Sequence, residues 1–255
     1  MGITEKTKGA QPDIVMDLKN LYVSIDRTEL LKHIDMRIEK EEVVALVGES
    51  GSGKTLTSKF ILGILPERSV VSYDKFYKTP KTGAVFQNSF TSLNPTVKIG
   101  SQLMRLYQSH YGETDNWKRK VVPLLEKAGI QNIDKFLKKY PHESSGGERQ
   151  RVAIAGALIS NPDLLIADEV TTALDLRTKL EVIKLFKNIR KELGITILFI
   201  THDLSSIKDF ANRVYVMYKG EIVEENTCEE LFRHQTHPYA KRIIGFANSL
   251  WTRDR

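Results

Sequence analysis

The chain has 255 residues, 41% hydrophobic and 27% charged, proportions of an ordinary globular protein. Its 38 Lys and Arg against 32 Asp and Glu give a net charge of +6, which suits a nucleotide, an anionic surface or nucleic acid without selecting among them. The start, MGITEKTKGAQPD, lacks the apolar core of a signal peptide, no apolar run approaches the roughly 18 residues that cross a bilayer, and a single cysteine, Cys228, excludes an internal disulfide and fits a reducing cytoplasm.

Residues 14–38 read as short strands with a turn near Asp26-Arg27. The apolar run 43–47, VVALV, then leads directly into GESGSGKT at 48–55. In this pattern Gly48, Gly51 and Gly53 let the backbone turn tightly and aim N–H groups at an oxyanion, with Glu49, Ser50 and Ser52 between them. Lys54 supplies a cationic point charge for β- and γ-phosphates, and the Thr55 hydroxyl can ligate Mg²⁺. A helix from Leu56 onward directs its positive end at the same phosphates. The expected ligand is a nucleoside triphosphate, ATP.

Strand-like pieces fill 70–86, with a turn at Pro80-Lys81-Thr82-Gly83. Helical spacing follows from Val97 to about Tyr140, carried by Ile99, Leu103 and Leu106, then Val121, Leu125 and Ala128. The scattered basic residues, such as Lys135, Lys138, Lys139, Lys187, Arg190 and Lys191, read as solvated helix faces. Beyond Ser144, helix and strand patterns alternate. Runs at 164–167 and 195–200 are near-continuously apolar, broken only by Thr196, as strands buried on both faces require. Between them Leu176, Leu180, Ile183, Phe186, Ile189 and Leu193 form a helical stripe ending at Gly194. Strand, helix, strand implies a parallel sheet.

Ligands of such sheets sit beyond the carboxyl ends of the strands. Asp168 and Glu169 follow one strand, His202 follows the next, and the glycine-rich loop follows a third. Lys54, Asp168, Glu169 and His202 can therefore converge on one nucleotide, with Asp168 holding Mg²⁺ and Glu169 polarising water. A second cluster, Ser144-Ser145-Gly146-Gly147-Glu148-Arg149-Gln150-Arg151, opens a helix with free N–H groups able to receive a phosphate.

Together these residues resemble the ATP-binding subunit of ABC transporters, along nearly the whole chain. Residues 48–55 look like the Walker A motif, 164–169 like Walker B with its catalytic glutamate, and 145–150 like the ABC signature. Ala173-Leu174-Asp175 resembles the D-loop and His202 the switch histidine. Gln87 resembles the Q-loop glutamine that contacts Mg²⁺ and the attacking water, and Tyr22 the aromatic that stacks on adenine.

More narrowly, Val85-Phe86-Gln87-Asn88, Thr91-Ser92-Leu93-Asn94-Pro95, Tyr140-Pro141-His142-Glu143, Thr171-Thr172-Ala173-Leu174-Asp175 and His237-Pro238-Tyr239 resemble oligopeptide, dipeptide and nickel importers. Departures are Ser144 where the signature usually has Leu, Glu148 where Gln or Met is usual, and Val170 where Pro normally follows the glutamate. The short step from Lys54 to Gln87 suggests a trimmed β-subdomain. The cysteine cluster of many peptide-importer ATPases is missing, so the tail looks more like nickel-type members. His234 and His237 read as a surface turn rather than a metal site.

The resemblance implies an α/β fold: a P-loop ABC ATPase with a mainly parallel sheet, a small antiparallel β-subdomain and a helical subdomain near 97–160. The whole of 1–255 is expected to form one ATP-binding domain, with a tail near 225–255. It further implies a head-to-tail pair in which Ser145, Gly146, Gly147, Glu148 and Asp175 of one chain complete the Lys54 site of the other. The second ATPase would be a sister chain or a second copy. Two transmembrane permeases and an extracellular or periplasmic substrate-binding protein would complete an importer on the cytoplasmic face of the membrane, without nucleic acid. The rival reading is a soluble ABC-type ATPase acting on nucleic acid or the ribosome. It is disfavoured by one cassette with no coiled-coil or zinc insertion. A degenerate cassette is disfavoured by the joint presence of Glu169 and His202, and an exporter by the separate-chain layout.

Overall fold

The computed structural model describes residues 13–86, 93–172 and 174–251. Two long strands open it, β1 (Ile14–Ile25) and β2 (Thr28–Glu39), antiparallel and joined by Asp26-Arg27. Both turn residues have positive φ, 49° and 65°, the geometry of a two-residue hairpin turn matched to strand twist. The expected short strands are thus two of 12 residues each: the alternation of buried side chains shifts phase between Leu18 and Leu21 and between Leu31 and Ile34, where Asn20 and His33 have positive φ, but the strands continue through. Two four-residue strands, β4 (Ser69–Ser72) and β5 (Lys75–Lys78), pair with β1 and complete a small antiparallel sheet.

The second sheet has the order β10-β9-β3-β8-β7-β6. Its strands β3 (Val43–Val47), β6 (Thr82–Phe86), β7 (Leu164–Asp168), β8 (Thr196–Thr201) and β9 (Arg213–Tyr218) run parallel, and β10 (Glu221–Thr227) is an antiparallel edge. Pro80 and Lys81 link β5 to β6, whereas Thr82 and Gly83, expected in the turn, already pair with Leu164 and Leu165. Gly83 fits there because a Cβ would lie 2.6 Å from the Ala157 carbonyl oxygen.

Every residue of β3, β7 and β8 is buried. Alternate side chains serve two cores. Val44, Leu46, Leu164, Ile166, Leu198 and Ile200 pack toward the antiparallel sheet and α1 (Lys54–Leu62). Val43, Ala45, Val47, Leu165, Ala167, Ile197 and Phe199 pack toward the other helices. Each Val, Leu, Ile or Phe among them contributes about 1.5–3 kcal/mol, so Leu46→Ala is expected to cost about 2–5 kcal/mol.

The helices on that second side are α2 (Ile99–Tyr111), α3 (Trp117–Lys127), α4 (Ile133–Phe136), α5 (Gly146–Ala157), α6 (Leu176–Leu193), α7 (Cys228–Arg233) and α8 (Pro238–Trp251). The stripe on α6 is covered only in its middle: Ile183, Phe186 and Ile189 are buried, but Leu176 and Leu180 are 70% and 58% exposed. An 18-residue helix is about 27 Å long and overhangs strands of five or six residues, about 17–20 Å. No helix among the described residues is long and apolar enough to cross a membrane.

Candidate active site

Strand register brings the predicted groups together. β8 lies between β3 and β7, pairing Thr201 with Val47 and Ile200 with Asp168. The segments that leave these strands, starting at 48, 169 and 202, therefore emerge side by side at one edge of the sheet. Leaving β3, the chain turns through residues 48–53, and Gly53 caps α1 with φ 113°, a value that L side chains rarely adopt. At Gly48 a Cβ would lie 2.2 Å from the Met217 carbonyl oxygen, so a neighbouring strand also demands glycine.

Lys54 is 3% exposed and held inside the loop, its Nζ donating to the Gly48 and Glu49 carbonyl oxygens at 2.9 Å each. Its ammonium also faces Glu169 Oε1 at 3.6 Å. Burial pulls the Lys54 pKa below the ordinary lysine value, with Glu169 opposing that shift. Ser50, Gly51, Gly53, Lys54, Thr55 and Glu169 line a cavity of about 380 Å³, closed at one side by Leu30. Ser52 is buried beneath the loop and its carbonyl accepts the Gly220 N–H at 2.9 Å. Larger hollows of about 500, 550 and 450 Å³ lie elsewhere and share no residue with the loop.

Asp168, the last residue of β7, is buried. Its carboxylate accepts from Ser58 Oγ at 2.8 Å and lies 3.5 Å from Thr55 Oγ1. Burial raises its pKa, with the Ser58 hydrogen bond opposing. Glu169 sits at φ 50°, the left-handed region, with its N–H bonded to the Ile200 carbonyl. A non-glycine residue there costs about 1–3 kcal/mol and persists where the surroundings fix it. That backbone sets its carboxylate 3.6 Å from both Lys54 Nζ and His202 Nδ1, with Thr172 Oγ1 donating at 3.4 Å. Val170, in place of the usual proline, is buried in the core and disturbs none of this.

Tyr22 and Asp175 stand apart from this cavity. Gln87 lies outside the described residues. Tyr22 does not reach the loop: it alternates with buried Leu21 and Val23, points to the opposite face of β1, and places its hydroxyl on the His33 imidazole. Its aromatic character on a strand carried no information about which face it takes. Asp175 caps α6, accepting from the Thr178 N–H at 3.0 Å and Thr178 Oγ1 at 2.6 Å, bonds that lower its pKa.

Residues 145–148 form a reciprocal helix cap. The Ser145 hydroxyl accepts the Glu148 N–H at 3.2 Å, and the Glu148 carboxylate accepts the Ser145 N–H at 2.8 Å. This accounts for Glu148 at a position where the resemblance suggested Gln or Met. Neither Ser145, Gly146 and Gly147 nor Asp175 lines the Lys54 cavity. They neighbour one another instead, a Cβ on Gly147 lying 3.2 Å from the Thr178 methyl, and Arg151 joins α5 to α6 through Glu181 at 2.7 Å. Sequence reasoning missed Ser58 and Thr172, which brace the two acids. Both are short hydroxyl side chains common at helix and turn positions, so nothing in the pattern distinguished them.

A glycine-rich loop between a buried parallel strand and a helix, with two acids at the end of a second parallel strand one place removed in the sheet, defines a P-loop nucleotide hydrolase. The description of the ABC transporter family matches residues 31–172. The oligopeptide transport ATP-binding protein OppD of Bacillus subtilis is 38% identical over 253 residues, covering 90% of this chain and 71% of that one. The dipeptide transport ATP-binding protein DppD of the same organism is 36% identical, covering 91% and 76%. Among solved structures, cbiO1 of Clostridium perfringens, part of the ABC transporter complex cbiONQ, aligns with a TM-score of 0.74 at 29% identity, covering 87% of this chain and 92% of that one. The ATP-binding cassette MJ0796, solved as a post-hydrolysis dimer bound to ADP and phosphate, aligns with a TM-score of 0.69 at 27% identity, covering 84% and 98%. The chain belongs to the ABC transporter family, and its activity is that of an ABC-type ATPase that binds ATP.

Proposed function

We propose that this ATPase powers uptake of oligopeptides or dipeptides, working as one of a head-to-tail pair. The observation that carries the pairing is the split site: the phosphate loop and Glu169 line one cavity, with Asp168 behind it on Thr55 and Ser58, while Ser145, Gly146, Gly147 and Asp175 lie outside it. A second ATPase would bring its own 145–147 turn against the γ-phosphate, as the dimeric ADP-and-phosphate-bound neighbour supports. The peptide cargo rests on the names of the relatives. Nickel, expected from the short tail, has no support of that kind.

Within the pair, the loop N–H groups and Lys54 cradle the phosphates. Thr55 and Asp168, two oxygen donors 3.5 Å apart, suit Mg²⁺, which would neutralise phosphate charge when bound. Gln87 would join them. Glu169 positions and polarises the attacking water, and His202, beside it, stabilises charge on the γ-phosphate. An apolar hollow of about 550 Å³ between β6, α2 and α5 is walled by Val85, Phe86, Leu103 and Leu106. It would receive a segment of a permease, coupling ATP-driven closure to transport on the cytoplasmic face. A substrate-binding protein outside the membrane would deliver cargo.

Isolation of the tagged full chain from its own membranes tests this reading. A second ATPase and two hydrophobic permeases should accompany it, and the chain alone should hydrolyse ATP poorly. Recovery with ribosomes or nucleic acid would sink the importer reading in favour of its soluble rival.

A further inference from the structure

The His237-Pro238-Tyr239 motif has no part in the chemistry above, yet it touches the phosphate loop. The buried Glu224 of β10 receives the N–H groups of Thr236 and His237 at 3.0 Å each. His237 Nδ1 accepts the Tyr239 N–H at 3.1 Å. Pro238 opens α8, where its fixed φ suits a first helical turn and its missing N–H is not needed. These bonds anchor the helix start and so aim Tyr239.

Tyr239 is buried and stacks on Tyr218, ring centroids 4.2 Å apart and planes at 21°. Its hydroxyl oxygen accepts the Glu49 N–H at 2.7 Å. Arg242, about one turn further along α8, lies over the Tyr239 ring and 3.8 Å from the Glu49 carboxylate. From the other side, Lys54 Nζ holds the Glu49 carbonyl at 2.9 Å. The Glu49 peptide is thus gripped by α8 and by the loop's own lysine. Tyr239 does not line the cavity, so its effect passes through Glu49.

We propose that Tyr239, supported by Arg242, is a positioning residue for nucleotide binding, holding the first turn of the phosphate loop in its binding shape through the Glu49 N–H. This rests on the reading that the Lys54 cavity holds nucleotide phosphates. Glycine-rich backbone is costly to order, and a brace formed before binding removes part of that cost from the binding step. The brace also gives α8 a means to alter nucleotide affinity from outside the site.

ADP titration of the full chain tests it with two variants that keep the ring stack. Tyr239→Phe removes only the hydroxyl, and the dissociation constant for ADP should rise by about 2- to 13-fold, the span of one hydrogen bond's net contribution. Tyr218→Phe leaves the Glu49 bond intact and should bind ADP within twofold of wild type. Hydrogen exchange at the Glu49 amide should accelerate in the first variant only. Wild-type affinity in Tyr239→Phe, or an equal loss in both variants, would overturn the proposal by leaving only general packing. Failure of the wild-type chain to bind ADP would overturn the nucleotide site itself, and the brace with it.

Discussion

The two ends of the nucleotide machinery are built differently. Around Lys54 the charged groups are buried or largely so: an ammonium 3% exposed, a glutamate on a strained backbone with its side chain 13% exposed, and a buried aspartate on a serine hydroxyl. At Ser145 and Asp175 the polar groups are exposed and satisfied by their own helix starts. The first arrangement costs desolvation and strain, which a structure retains where that geometry is used. The second costs nothing while it stands alone. One end is preformed; the other is a pair of capped helix starts with exposed cap residues. A site shared between chains needs both kinds of end.

The largest way to break this contrast is at the preformed end. Glu169→Gln should lower ATP turnover of the assembled pair by about 10²- to 10⁴-fold, the usual contribution of a positioned base, while ADP still binds. Phosphate release measures it, and turnover near wild type would remove Glu169 from its role. At the outward end, Gly147→Arg puts a long side chain where a phosphate should arrive. Turnover should fall about 100-fold, as when one preorganised donor is lost, but ADP affinity of the single chain should stay within twofold. A matching loss of ADP binding would show that the two ends are not separate.

Acid should distinguish the ends as well. Burial raises the pKa of Asp168, so it takes up a proton at a higher pH than an ordinary carboxylate. A raised folded-state pKa means that its contribution to stability is present below the unfolded value and is lost as pH rises through the folded one. Protonation also removes a Mg²⁺ ligand, so affinity for Mg²⁺-ADP should weaken as pH falls toward the raised pKa. In Asp168→Asn that affinity should be weaker and flat over the same range. Asp175 has the opposite sign. Its Thr178 hydrogen bonds lower its pKa, so its stabilising cap is present above the unfolded value and is lost only as pH falls through the lower folded one. Isothermal titration of Mg²⁺-ADP across mildly acid pH checks the pair, and a pH-independent wild-type affinity would contradict the role of Asp168.

Much of the preformed end was legible in the chain. VVALV before GESGSGKT, LLIA before Asp168 and Glu169, and ILFI at 197–200 before His202 are apolar runs, and they prove to be adjacent parallel strands whose ends meet. Local pattern failed where a tertiary partner decides. The side of β1 that Tyr22 occupies is set by which neighbours bury Leu21 and Val23, and the overhang of Leu176 and Leu180 by the length of strands that lie elsewhere in the sequence. Glu169 at positive φ has no signature, since glutamate has no preference for that region. Tyr239 and Glu49 lie 190 residues apart, and no spacing rule joins them.

The smallest effect tests the outward end by a residue that departs from the family pattern. Ser144, where leucine is usual, is buried and its hydroxyl has no hydrogen-bond partner among the described residues. Its backbone is fully engaged, its N–H donating to the Pro141 carbonyl and its own carbonyl accepting from Arg149. Only the side chain is unmatched, and an unsatisfied buried polar group costs about 1–3 kcal/mol. Alanine removes the oxygen without adding volume, so no overpacking offsets the gain. Ser144→Ala should therefore stabilise the chain by about 1 kcal/mol, a rise in thermal midpoint of about 2–4 °C for a domain of this size. ATP turnover should hold within twofold, because the Ser145–Glu148 cap is made without Ser144. A lower midpoint would mean that the hydroxyl has a partner within this turn. A turnover loss at an unchanged midpoint would mean that Ser144 itself belongs to the surface offered to the second chain.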